Sequence, residues 1–135
     1  MKLRNERGQS LVELAISLLI LMYLLSGAVE FGIAFFQYVQ LRDAAQEGAL
    51  YGSMNPDDLA GIEARVRGAS SSPIDLNDTG VIVTPTIIGS ACEGNGIQVT
   101  VSYDHTVFMP FMSRIIGPTV DLDATVTDTI LTPVC

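Results

Sequence analysis

At 135 residues the chain has room for one domain and an anchor, but not for two full domains. Apolar residues make up 48% of it and the net charge is −8, too acidic for a nucleic-acid groove or for a surface that binds anionic lipid by charge. The apolar excess is concentrated ahead of residue 40.

Residues 1–8 form a short leader in which Lys2, Arg4 and Arg7 outnumber Glu6. Without it, four Lys and Arg would remain against fourteen Asp and Glu. Basic residues ahead of an apolar run keep that end cytoplasmic, so the C-terminal part is expected to be exported. The apolar run covers residues 11–36, and its only charges are Glu13 and Glu30. About 20 helical residues cross a hydrocarbon core of about 30 Å, so the run is long enough to span. A charge near the bilayer interior costs roughly 2.5–3.5 kcal/mol, which makes Glu13 a residue the chain is expected to use. Glu30, near the outer boundary, reads as a solvated interfacial carboxylate.

No proline precedes Pro56, and helix-compatible residues continue to Tyr51. One continuous helix is expected from about Gln9 to about Tyr51, on the order of 64 Å long. In its outer half Val39, Leu41, Ala45, Ala49 and Leu50 offer an apolar side. Ala28 with Gly32, and Gly48 with Gly52, are small-residue pairs at the spacing that lets a second helix approach.

Asn55-Pro56-Asp57-Asp58 reads as the start of a second helix, with Asn55 as cap and Pro56 in its first turn. Leu59, Ile62 and Val66 recur at helical spacing, and Arg65 and Arg67 suit the last turn before Gly68. From residue 81 the period is two. Residues 81–88 form a β-branched run that Pro85 relegates to an edge. Ile97, Val99, Val101, Tyr103 and Val107 alternate with polar residues, as do Val120, Leu122, Ala124 and Val126. Gly94-Asn95-Gly96 suggests a tight hairpin between the first two strands. The expected fold is α+β: a long N-terminal transmembrane helix continuing into a small exported domain with a short helix and a three-stranded antiparallel sheet.

Candidate chemistry is sparse. His105 is the only histidine, shares a strand face with Tyr103 and Val107, and reads as a half-buried structural residue. Without nearby cysteine it makes no zinc site. Asp104, Asp121, Asp123 and Asp128 could assemble a calcium site if the strands align, yet they lack the spacing of a calcium loop, and Asp121 and Asp123 read as the solvent face of a strand. Asn77-Asp78-Thr79 matches a glycosylation sequon by pattern alone. The loop around Phe108, Met109, Pro110, Phe111 and Met112 is either local core or a patch for a partner subunit. No nucleophile triad and no phosphate loop is present in the sequence. The chain is expected not to be an enzyme and to need no cofactor or metal.

Gly8 followed at the fifth position by Glu13 resembles the processing site of type IV-like prepilins. The order of leader, long helix, short helix and threonine-rich strands resembles the TadE family, pseudopilins of tight-adherence pilus systems. The resemblance extends over nearly the whole chain and is most specific at residues 7–15 and in the pairing of Ile97–Val107 with Val120–Ile130 across a Pro-containing apolar loop. Leu14, where tight-adherence major pilins have tyrosine, and Gln9, where type II pseudopilins have phenylalanine, favour a minor pilin. The resemblance implies a leader (residues 1–8) cut between Gly8 and Gln9, an assembly helix (9–52) and an exported domain (53–135). It implies that Glu13 pairs with the new amine of a neighbouring subunit. Implied partners are other pilin and pseudopilin subunits, a prepilin peptidase, an inner-membrane assembly platform and membrane lipid, with no nucleic acid. Two readings compete: a signal peptide cut near Ala28, and a signal-anchored cell-surface domain with a ligand-binding or enzymatic role.

Cys92 and Cys135 are the only cysteines, both in the segment expected to be exported, where oxidation is permitted. A bridge between them is expected. Free thiols or links between subunits are the alternatives.

Overall fold

The computed structural model describes residues 6–109 and 111–135. The leader residues Lys2 and Arg4, and Pro110 of the apolar loop, lie outside them. The order is α1 (Glu6–Met54), α2 (Leu59–Gly68), β1 (Val81–Ile88), β2 (Gly96–Thr106), α3 (Ser113–Ile116) and β3 (Thr119–Thr129). The sheet is antiparallel in the order β1-β2-β3, so Pro85 does sit on an edge strand.

α1 is unbroken because nothing interrupts it before Pro56. At about 1.5 Å per residue, its 49 residues make a rod of about 74 Å. Its two halves differ. The most apolar window has none of its residues buried, whereas the outer half contributes Leu41, Ala44, Ala45 and Ala49 to the core. At 100° per residue, Val39 and Leu50 lie about 160–180° from Leu41 and face outward, contrary to the expected apolar side. Ala44, Gly48 and Gly52 take their place.

The core closes as α1, α2 and the inner sheet face meet. Ile62 and Val66 of α2, Ile97, Val99 and Val101 of β2 and Ala124 of β3 are all buried. Each fully buried Ile or Val contributes roughly 1.5–3 kcal/mol by leaving water. The connection from α2 to β1 is tied to α1 by the Gln40 amide. Its Nε2 donates to Ile74 O at 2.7 Å, and its Oε1 accepts from Ile74 N at 2.8 Å.

Two local expectations are corrected. α2 begins at Leu59, not at Pro56, because Asn55 N still bonds back to Tyr51 O, leaving residues 55–58 as the turn. Asp58 is the cap: its carboxylate accepts from Gly61 N at 2.9 Å and from the Tyr51 hydroxyl at 2.8 Å. These bonds, Tyr51 first, hold the Asp58 carboxyl below its ordinary value. A depressed carboxylate stabilises above its unfolded pKa, and that contribution is lost as acid protonates it. Nor is β1–β2 a tight hairpin. Residues 89–95 form a longer loop with Gly89 and Gly94 at positive φ. Asn95 Nδ2 donates to Ser90 Oγ and Cys92 O, bracing it from inside. Cys92 is disulfide-bonded to Cys135, with Cα atoms 5.6 Å apart. The tail also caps α1, where Leu131 N donates to Ser53 O and Thr132 Oγ1 to Met54 O.

The pair Gly48 and Gly52 is not open to a second helix, because α2 and β2 occupy that space. A Cβ on Gly48 would stand 2.5 Å from Val66 Cγ2, and one on Gly52 2.9 Å from Ile97 Cγ1. Gly48→Ala should therefore lower stability by about 1–2 kcal/mol, overpacking outweighing the helix preference of alanine. Gly32→Ala, with nothing within 4 Å, should be neutral or slightly stabilising. Thermal unfolding of the full chain in detergent measures both.

Candidate assembly site and membrane junction

The residues singled out in the sequence fall into two groups along α1. Gly8, Gln9 and Glu13 lie at its inner end, all exposed, with Gln9 and Glu13 one turn apart. Ala28 and Gly32 are also exposed. None of the described residues covers these positions.

The second group forms at Glu30. Eleven residues separate it from Leu41, about 20° on the helical wheel, so the stripe that meets the core carries Glu30 inward. It is 3% exposed, not solvated as expected. Strand alternation that turns Val99 and Val101 inward turns His105 inward too, and His105 is 1% exposed, buried rather than half-buried. The two meet with His105 Nε2 at 2.9 Å from Glu30 Oε1. A carboxylate only accepts, so Nε2 carries the shared proton. Backbone completes the shell: Phe108 N donates to Oε1 and Met109 N to Oε2, both at 3.0 Å. A buried carboxylate is tolerable only when its oxygens are paired in this way.

The loop that supplies these two N–H groups lies against the apolar half of α1. The Phe111 ring meets Tyr23 edge-on, with centroids 5.3 Å apart, and Met112 lies over Gly27. Residues 113–116, expected as loop, form the short helix α3. On the outer sheet face Asp104 stands opposite Asp121, both exposed, and no group of three or more metal-ligating side chains forms among the described residues.

Residues 8–50 match the model of a family described as TadE-like protein. Over that segment the chain is similar to the TadE-like family. The match covers α1 from Gly8 almost to its end, less than the nearly full-length resemblance read from the sequence. That similarity associates the matched segment with the tight-adherence pilus in general. α1 is also the one helix among the described residues that is long and apolar enough to cross a membrane. No curated protein and no solved structure matches the chain.

Reading the sequence locally missed Glu30–His105, because the partners are 75 residues apart. A signal was present in the helical wheel: the one carboxylate in phase with Leu41 needs a donor, and the only inward-facing donor of that kind on the strands is His105. Glu30→Ala removes the acceptor shared by three donors, and each buried donor left unpaired costs about 1–3 kcal/mol. Amide hydrogen exchange at Phe108 and Met109, measured on the full chain in lipid, should accelerate at least tenfold. Unchanged protection would show that Glu30 does not hold the loop.

Proposed function

We propose that the chain is a pseudopilin, a minor subunit of a tight-adherence pilus, cut after Gly8 and assembled through α1. The observation that carries this reading is that the family match begins at Gly8 and follows a helix whose membrane half is bare. A bare apolar helix satisfies its backbone internally, but its side chains need lipid or other helices.

In this reading a peptidase removes the basic leader and leaves an α-amine on Gln9, with a reference pKa of about 7.7–8.0. It is mostly cationic at the membrane face. Glu13 of one subunit accepts the amine of its neighbour. Both charges are costly in lipid, and pairing them offsets that cost while fixing the axial stagger of adjacent helices. The exposed pair Ala28 and Gly32 lets the neighbour come close. The N-terminus stays cytoplasmic, the sheet domain is exported, and an inner-membrane platform moves the assembled subunits. The chain works by assembly and carries out no reaction of its own.

Two variants test the reading together. A Cβ on Gly8 meets none of the described residues within 4 Å, so Gly8→Ala leaves α1 intact and any defect belongs to the peptidase. It should accumulate with its leader attached, by intact mass of the membrane fraction. Glu13→Leu should be inserted and cut yet fail to co-purify with filament subunits. Normal maturation of the first variant would remove the processing claim, and normal incorporation of the second would reduce Glu13 to a bystander.

A further inference from the structure

The loop between β2 and β3 turns large apolar side chains outward. Phe108 is 69% exposed, Phe111 58%, Ile115 68% and Ile116 47%. These are the values of the bare membrane half of α1, where Leu11 is 68% and Leu24 67% exposed. The loop is continuous with that half. Counting about 20 residues from Leu11 puts the far boundary of the span at Glu30. Tyr23, which Phe111 touches, is seven residues back from Glu30, about 10 Å inside that boundary. A span placed farther along α1 would bury the loop more deeply.

Irregular backbone at such depth needs its polar groups paired. Here Phe108 N and Met109 N bond to Glu30. Met112 N and Ser113 N bond to Met109 O, Ile115 N and Ile116 N to Met112 O, and Gly117 N to Ser113 O. Val107 N closes the base of the loop on Pro118 O. The chain's charge adds a second observation. Arg114 is the only Lys or Arg after Arg67, in an otherwise acidic stretch, and it sits among these apolar side chains. An arginine there can lay its stem along acyl chains and set its guanidinium among phosphates.

We propose that Phe108, Met109 and residues 111–116 form a second membrane element, inserted among the acyl chains of the leaflet on the side of the sheet domain. Its occupant is lipid, contacting Phe108, Phe111, Ile115 and Ile116 and filling the hollow between Met22, Ser26 and Met109. The sheet domain is then seated on the bilayer at two points, α1 and the loop, which fixes its tilt as well as its height. The proposal rests on α1 being a membrane span, and the experiment separates the two.

The chain has no tryptophan, so Phe111→Trp or Ile115→Trp introduces a sole reporter, and Leu18→Trp does the same within the span. Each full-length variant is reconstituted in phosphatidylcholine vesicles containing lipids brominated at shallow or deep acyl positions. The proposal expects at least twofold quenching at residues 111 and 115, strongest from shallow bromines, at every protein-to-lipid ratio. Leu18→Trp should be quenched most by deep bromines. Quenching of Leu18→Trp with neither loop reporter affected would overturn the proposal and leave the span standing. Loop quenching that disappears as protein density rises would make a second copy the occupant, and also overturn it. If no reporter is quenched, both the insertion and the span are wrong.

Discussion

A carboxylate enclosed by three donors at the mouth of an apolar helix ties this structure together. Glu30 would be intolerable there alone. Paired with His105 Nε2, Phe108 N and Met109 N, it becomes a fixed point between α1 and the end of β2. The partners are more than seventy residues apart in sequence, so the bond forms only once α1 and the sheet have packed. The course of the following loop depends on it. With Phe108 and Met109 held, the chain continues inward along Tyr23 and Gly27 instead of turning out to solvent. Apolar side chains with few partners inside the domain are thereby placed where a membrane can receive them.

One stripe of α1 organises both halves of the molecule. Tyr23, Gly27, Glu30, Gln37 and Leu41 follow one another along it, and Gly48 and Gly52 complete it. The chemistry changes along it: an aromatic contact within the apolar half, a charge-assisted cluster at the end of that half, and small residues where α2 and β2 press close. The faces that carry Glu13, Ala28 and Gly32 stay exposed, and under the proposed function they receive other subunits. Under that proposal, packing within the chain and contact between chains use different sides of the same helix.

The architecture was legible in the sequence wherever a period carried it. Uninterrupted helix-compatible residues marked α1, spacing of Ile62 and Val66 marked α2, and alternation marked β2 and β3. Pro85 marked the edge. Where a local motif stood in for a long-range contact, the reading failed. Asn55-Pro56 resembles a helix start, but the α1 C-terminus claims Asn55, and Asp58 gains the cap through Tyr51. Asn95-Gly96 resembles a hairpin turn, but Asn95 spends its amide on Ser90 and Cys92 inside a larger loop. Gly48 and Gly52 have the spacing of a helix-pairing motif, and only the fold shows that α2 is what they accommodate. Glu30 and His105 were each read alone, and alone each looks unremarkable. Their meaning lies in the phase they share with the core, which no short motif records.

The hold of Glu30 on the loop against the apolar half of α1 can be measured as a distance. Among the described residues no free cysteine exists, so Leu18→Cys and Ile115→Cys accept spin labels without competition. In bilayers the account predicts one narrow distance distribution between these labels, broadening when Glu30→Ala is added. A broad distribution in the otherwise native chain, or a narrow one that survives loss of Glu30, would contradict it.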